Sequence, residues 1–172
     1  MATVTRTLHL GGVGKPDLLR RLQVQGVKLN AAAEELFADS RFTVAEARSL
    51  VLAVELSVSD LGFAEGATMP RICEAARHVS LLLCPLELGQ HLRLLWPDQP
   101  EGHIGQPVTK HRAPPKSVTV VSGPLSQDDD TPKGFYLRKI EGLLWLRGYR
   151  SDASHIWSAE DCLVFCRAQG ED

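Results

Sequence analysis

The sequence has no long hydrophobic run. Its apolar stretch between Leu50 and Val58 is interrupted by Glu55 and Ser57, whereas a membrane-spanning helix needs about 20 consecutive apolar residues. The first residues, MATVTRTLHLGGVGK, also lack the basic start and apolar centre of a secretory signal. We therefore expect no membrane association and a cytoplasmic location.

Cysteine is scarce, with four among 172 residues. This density is too low for a secreted fold held together by disulfides. Cys162 and Cys166 approach the spacing of zinc ligands, but Leu163, Val164 and Phe165 lie between them and indicate a core segment. The sequence therefore predicts reduced thiols, no metal site and no cofactor.

A large excess of charge of either sign is also missing. The chain has 19 basic and 21 acidic side chains, a net charge of −2, which excludes attraction of the whole molecule to nucleic acid. Residues 133–150 differ, because they carry five basic side chains and one acidic side chain, a net charge of +4. These six residues are Lys133, Arg138, Lys139, Arg147 and Arg150, with Glu141 as the acid. We expect any anion-binding site in this segment.

The chain length suits one domain, and the prolines divide it into two halves. Five of the ten prolines lie between Pro97 and Pro115, where neither a helix nor a central strand could tolerate them. This pattern predicts a loop at residues 97–117 between a mixed α/β half, residues 1–96, and a β-rich half, residues 118–168. Loops of this length are usually functional or disordered.

In the first half, hydrophobic periodicity and helix caps predict alternating helices and strands. Strands are expected at residues 4–10, 50–58, 80–84 and 91–96. Helices are expected at residues 16–25, from a cap at Asn30 to Phe37, in a short turn after Thr43 with Glu46, and from a cap at Thr68.

The second half is predicted to be mainly β. Strands are expected at residues 117–122 and 162–167, although Ser158 with Asp161 could instead begin a helix there. Residues 135–140 and 143–149 flank Glu141 and Gly142, the two-residue spacing of a β-hairpin. The predicted fold is a single α+β domain with a largely antiparallel sheet, helices from the N-terminal half and a C-terminal β-hairpin.

The two faces of the predicted hairpin differ in chemistry. A two-residue turn places Arg138 opposite Trp145 and Leu137 opposite Leu146, so that one face is apolar. The apolar face comprises Phe135, Leu137, Leu144 and Leu146. The opposite face, here named the arginine–aromatic face, comprises Tyr136, Arg138, Trp145, Arg147 and Tyr149.

The arginine–aromatic face has the composition of a binding surface. Aromatic rings and arginines can stack on bases and contact the phosphates of single-stranded nucleic acid, and the same residues are enriched in protein interfaces. Alternatively, the rings could pack beneath another element while the arginines extend to solvent. We interpret the chain as a non-catalytic binding domain for an anionic ligand, nucleic acid or protein partner, with its oligomeric state open.

An enzyme is the alternative interpretation. His91 and Arg93 would share one face of the strand predicted at residues 91–96, close to Asp98 or Glu101 and to His155. Such a cleft beneath the long loop could transfer protons to or from a small anionic substrate. Scattered histidines are, however, usually structural or surface residues.

The segment Gly11-Gly12-Val13-Gly14-Lys15 resembles the end of a phosphate-binding P-loop. It departs from that motif at two positions, because His9 replaces a glycine and Pro16 replaces the Ser or Thr that holds magnesium. The segment therefore predicts a turn before a helix, not nucleotide hydrolysis, although a helix N-terminus could still attract an anion.

Four segments resemble a family of uncharacterised bacterial proteins. They are CPLELGQHLRLLW from Cys84, DQPEG from Asp98, PKGFYLRKIEGLLWLRGY from Pro132 and HIWSAED from His155. The resemblance covers most of the chain and implies a bacterial cytoplasmic protein. It implies no activity, cofactor or catalytic residue.

Overall fold

A computed structural model describes residues 3–102 and 116–167. The loop predicted at residues 97–117 therefore lies largely outside the described residues.

The described residues form nine strands and four α-helices. The strands are β1 (Val4–Leu10), β2 (Lys28–Leu29), β3 (Ser49–Ser57), β4 (Ala67–Thr68), β5 (Val118–Val120), β6 (Gly134–Ile140), β7 (Leu143–Tyr149), β8 (Ile156–Trp157) and β9 (Cys162–Arg167). The helices are α1 (Lys15–Val24), α2 (Ala31–Ala38), α3 (Met69–His78) and α4 (Leu88–Leu95), with a short 3-10 helix at Ser59–Leu61. None of these helices is both long and apolar enough to span a lipid bilayer.

Seven of the described strands form one sheet in the order β1-β3-β9-β5-β6-β7-β2. Neighbouring strands are antiparallel except in the pairs β5–β9 and β2–β7. Strands β4 and β8 form a separate antiparallel pair. The prediction of a mixed α+β fold with a largely antiparallel sheet is confirmed.

Each face of the sheet has its own hydrophobic core, and β9 contributes to both because its side chains alternate in direction. Val164 and Cys166 belong to the core beneath α1, α2 and α4. Leu163 and Phe165 belong to the core that includes Ile72 of α3 and the β4–β8 pair. Strands at the middle of the sheet are thus covered on both faces.

The predicted cap of α2 is confirmed and has a second role. The Asn30 side-chain oxygen accepts hydrogen bonds from Ala33 N (2.9 Å) and Gly148 N (2.8 Å). The Asn30 amide nitrogen donates to Gly148 O at 3.0 Å. One side chain therefore caps a helix and continues the pairing of β2 with β7 by bonding both backbone groups of Gly148.

The hairpin prediction is confirmed in position and register. Arg138 lies opposite Trp145, Tyr136 opposite Arg147, and Leu137 opposite Leu146. Glu141 and Gly142 have φ angles of 50° and 74°, the left-handed pair of a type I′ turn. Leu137 and Leu146 are fully buried against the α4 side of the sheet.

The prediction of a strand at residues 91–96 is wrong, because this segment belongs to α4. Over so few residues, the apolar positions fit both the helical and the strand period. Leu88 and Leu92, four residues apart, are both buried, as the helical period requires. Gly89 lets the helix approach the sheet, since a Cβ there would lie 3.1 Å from Phe135 Cβ. His91 and Arg93 consequently point to different sides of a helix and do not share a strand face.

Two further local predictions are wrong. Residues 80–84 form only isolated bridges, Leu82 with Cys166 and Cys84 with Ser122, and the φ of 61° at Ser80 excludes this residue from an extended strand. Residues 43–48 form no helical turn, since the backbone of Ala45 is instead bonded to Glu87 and Gly12. The strand predicted at residues 162–167 is confirmed as β9, which excludes the alternative helix after Ser158.

Candidate functional site

The arginine–aromatic face lies on the same side of the sheet as α3, near the end of the sheet that β7 and β2 form. Strand alternation sets this orientation, because Tyr136 pairs with Thr119 while the neighbouring Leu137 enters the opposite core. All five side chains of the face are half-buried. The face is thus neither fully solvated nor sealed into a core.

Arg147 is held at the centre of this face. Its Nε donates a hydrogen bond of 2.7 Å to Tyr136 Oη, and its guanidinium lies 4.9 Å from the centroid of the Trp145 ring and 5.9 Å from that of Tyr136. These distances are within the range of cation–π contacts. Arg147 is therefore fixed in direction by neutral aromatic groups.

Arg138 and Trp145, directly opposite each other, carry buried donors without acceptors. Arg138 Nε and Nη2 and Trp145 Nε1 are excluded from solvent and make no hydrogen bond within residues 3–102 and 116–167. Burial lowers the pKa of Arg138, and the nearby Arg147 charge acts in the same direction, whereas Tyr136 opposes it. Arginine and indole groups can only donate, so this pair has three buried donors whose hydrogen bonds are not made.

Arg93 supports the same pair of residues from the other face of the sheet. It is fully buried, and its guanidinium donates to Trp96 O (2.5 Å) and Gln99 Oε1 (2.6 Å). Longer bonds of 3.3 Å and 3.4 Å reach the backbone carbonyls of Trp145 and Arg138. Burial lowers the pKa of Arg93 to about 10, and all of these acceptors are uncharged.

The segment after α4 is hydrogen-bonded to the C-terminal half of β6 and to the hairpin turn. Gln99 Nε2 donates to Leu137 O at 3.1 Å and to Lys116 O at 3.3 Å. Gly102 N donates to Lys139 O at 2.8 Å, and Glu101 Oε1 accepts a 2.5 Å bond from Gly142 N in the hairpin turn. These bonds hold residues 99–102 against β6 and the hairpin turn.

The net positive charge of residues 133–150 is distributed unevenly. Lys133 donates to the carbonyls of Ser126 and Asp128, and Arg150 forms an ion pair with Glu35. By contrast, none of the ion pairs within residues 3–102 and 116–167 involves Arg93, Arg138 or Arg147. Residues 103–115 contain no Asp or Glu. Three arginine charges are thus concentrated at the hairpin without a described carboxylate partner.

Tyr149 is separated from the other members of the face. Its ring packs edge-on against Trp157, with 5.7 Å between ring centroids, and burial raises the pKa of its hydroxyl. It also lines a cavity of about 300 Å³ together with Met69 and Cys73. Tyr149 therefore belongs to the α3 side of the core and contributes little to the arginine cluster.

The residues of the enzyme alternative have separate surroundings. His91 lies 3.4 Å from Glu87, Arg93 is buried beneath the hairpin, and His155 packs on Trp157 at 5.3 Å on the other side of the sheet. Asp98 is exposed, and Glu101 binds the hairpin turn. Within the described part of the chain, no three His, Cys, Asp or Glu side chains form a group suited to a metal ion.

The lysine of the P-loop-like segment has a structural contact. Lys15 Nζ donates to Asp39 O at 3.1 Å and to Phe42 O at 2.8 Å, and it lies 4.9 Å from the Phe42 ring centroid. These carbonyls follow the C-terminus of α2, where a cation is favourable.

Sequence reasoning did not identify Gln99 as part of the site. A glutamine between two prolines gives no periodic signal, and only the fold reveals that its amide joins Arg93 to β6. The sequence did single out Arg93, but for a catalytic role in a strand.

The chain matches no protein-family model, no curated protein and no solved structure.

Proposed function

We propose that this chain is a non-catalytic, cytoplasmic binding domain whose arginine–aromatic face binds an anionic group on a ligand or partner. The observation that carries this proposal is the set of buried donors on Arg138 and Trp145 that have no partner in the described part of the chain.

The energetics favour an added acceptor at this position. A buried donor without a partner costs about 1–3 kcal/mol, and more when the group is charged. The Arg138 guanidinium bears this cost together with the Trp145 indole opposite it. A carboxylate or phosphate oxygen between them would accept both kinds of hydrogen bond and offset the Arg138 charge.

Preorganisation supports the same proposal. Arg147 is already fixed by Tyr136 and Trp145, and Arg93 bonds to the backbone carbonyls beneath Arg138 and Trp145. Side chains that are ordered before binding lose less conformational entropy when the ligand arrives.

Phosphate in single-stranded nucleic acid and carboxylate in an acidic protein segment provide the same acceptor chemistry. Fluorescence anisotropy with two labelled probes, a short oligothymidylate and an oligoglutamate peptide, tests both sources. Phosphate contacts release counterions, so oligothymidylate binding should weaken steeply with salt. A protein-type contact should depend less on salt.

The variant Arg138→Gln should weaken binding of the preferred probe by about 10- to 100-fold, as expected for the loss of one charge-assisted hydrogen bond. Lys139→Gln is the matched control, because it removes an equal charge from the next position, whose side chain points to the other face of β6. Failure of both probes to bind, or equal weakening by Lys139→Gln, would contradict the proposal.

A further inference from the structure

A cavity lined by basic side chains lies at the opposite end of the sheet from the hairpin. It has a volume of about 350 Å³ and is bounded by the glycine turn at residues 11–13 and by His9, Arg21, Arg48 and His91. These four side chains come from β1, α1, the loop before β3, and α4. The cavity thus gathers four basic groups from four separate segments.

Glu87 fixes the shape of this cavity. It is buried, and its two carboxylate oxygens accept hydrogen bonds from Gly11 N (3.3 Å) and Ala45 N (2.9 Å). Gly11 has a φ of 80°, and a Cβ at this position would lie 2.1 Å from Ala47 O. The glycine turn and the loop that carries Arg48 are therefore locked together.

The two arginines of the cavity are available for a ligand. The guanidinium groups of Arg21 and Arg48 are on exposed residues and form none of the hydrogen bonds or ion pairs found within residues 3–102 and 116–167. His91 Nε2 is buried 3.4 Å from Glu87 Oε2 and has no hydrogen-bond partner among the described residues. Lys15 is excluded from this role by its bonds to Asp39 and Phe42.

We infer that this cavity binds the phosphate group of a small phosphorylated metabolite, with Arg21 and Arg48 as its principal contacts. Two arginines can bind a dianion through paired hydrogen bonds. The cavity volume is near the lower end of the range for ligand sites, about 300–1,000 Å³. It has room for a phosphate with a small organic group. This site is independent of the hairpin, which lies near the other edge of the sheet.

His91 should couple the binding of the anion to pH. Burial lowers the pKa of His91, Arg21 acts in the same direction, and Glu87 opposes both. Arg48 and His9 are the other titratable or charged groups that line the cavity. An anion bound beside His91 favours the protonated ring, so binding should take up a proton and strengthen as the pH falls.

Isothermal titration of the full chain with inorganic phosphate tests the site, with acetate as the carboxylate probe. Phosphate should bind, and Arg21→Gln and Arg48→Gln should each weaken its binding at least about tenfold. Arg20→Gln is the matched control on α1, because Arg20 forms an ion pair with Asp17 and does not line this cavity. Arg20→Gln and Arg138→Gln should each leave phosphate affinity unchanged.

Sulfate, whose charge is constant near neutral pH, isolates the contribution of His91. Its affinity should rise as the pH falls through and below about 6.5, the ordinary histidine pKa, because burial lowers the pKa of His91, and His91→Gln should reduce this rise. Absence of phosphate binding, equal affinity for acetate, or equal weakening by Arg20→Gln would overturn the assignment. If only Arg138→Gln weakens phosphate binding, the anion site is at the hairpin and this cavity is not one. Thermal unfolding of each variant verifies that the fold is intact.

Discussion

Gln99 Oε1 accepts a 2.6 Å hydrogen bond from Arg93 Nη1, and both side chains are almost completely excluded from solvent. A buried arginine is ordinarily paired with a carboxylate. In the described structure, the hydrogen bonds of Arg93 go only to neutral oxygens, of which the Gln99 amide is the sole side-chain acceptor, and Arg93 Nε has no partner. The same amide also binds the β6 backbone, so one glutamine supports both the charge and the strand.

Replacement of Gln99 by alanine should destabilise the fold. The change removes the side-chain acceptor of Arg93 and both Gln99 Nε2 bonds. Loss of an acceptor for a buried charge costs about 1–3 kcal/mol or more. Urea unfolding of Gln99→Ala should therefore show a lower free energy of unfolding by at least this amount. Gln23→Ala, an exposed change in α1, should alter it by less than about 0.5 kcal/mol, and equal losses would refute this role of Gln99.

Substitutions on the two faces of the hairpin should have different effects, one on anion binding and the other on stability. Arg138→Met removes buried donors that have no acceptor, so its free energy of unfolding should stay the same or increase while anion binding is lost. Leu146→Ala removes a fully buried side chain and should cost about 2–5 kcal/mol. Chemical denaturation of both variants measures the difference. A loss for Arg138→Met as large as that for Leu146→Ala would show that Arg138 is structural.

Lys15 should affect stability and not nucleotide turnover. Lys15→Met removes the ammonium group bonded to Asp39 O and Phe42 O and should lower the free energy of unfolding by about 1–3 kcal/mol. Arg20→Ala, an exposed change on the same helix, should cost less than about 0.5 kcal/mol. Magnesium-dependent ATP hydrolysis should be undetectable in the wild type, and turnover that disappears in Lys15→Met would contradict the structural role.

Stability should fall as the pH decreases below about 6.5, the ordinary histidine pKa, because burial lowers the pKa of His91 in the folded chain. Over the interval between the two pKa values the unfolded chain binds a proton that the folded chain does not, so this contribution is present above the unfolded pKa and is lost with acidification. Urea midpoints measured across this interval should decline less in His91→Gln. His78→Gln, at an exposed position of α3, controls for the loss of one histidine, and an identical decline in all three proteins would exclude His91 as the cause.

Two glycines allow the free-energy cost of steric contact to be distinguished from the cost of a left-handed backbone conformation. Gly11 and Gly26 both have positive φ angles, 80° and 72°. A Cβ at Gly11 would lie 2.1 Å from Ala47 O, whereas a Cβ at Gly26 would meet nothing within 4 Å. Gly26→Ala should cost about 1–2 kcal/mol for the left-handed conformation, and Gly11→Ala should cost clearly more in thermal or urea unfolding. Equal costs would mean that the glycine turn is free to move.

The sequence signal was strongest where one local rule determined the structure. The hairpin register follows from two residues, Glu141 and Gly142, between two alternating runs, and the α2 cap follows from Asn30 alone. The prediction of a strand at residues 91–96 failed because so few residues fit both a helical and a strand period. Only contact with the sheet through Gly89 and Phe135 decides between them.

The register set by the two-residue turn located the arginine–aromatic face, but it could not give the burial of its side chains. Exposure of Trp145 and Arg138 depends on elements distant in sequence, as does the separation of Tyr149, which packs on Trp157. The contribution of Arg93 and Gln99 depends on a helix that the sequence suggested as a strand. Long-range packing, and not local propensity, decides these features.

The amide of Asn30 has a consequence for self-association. Edge strands attract strands of other molecules because their outward N–H and C=O groups are unpaired. At Gly148, both of these groups are already bonded, to a side chain that imitates a peptide unit. Asn30→Ala should therefore do more than weaken a helix cap. It should leave the N–H and C=O of Gly148 unpaired at this edge, where they favour intermolecular β-pairing, so that aggregation accompanies the loss of stability.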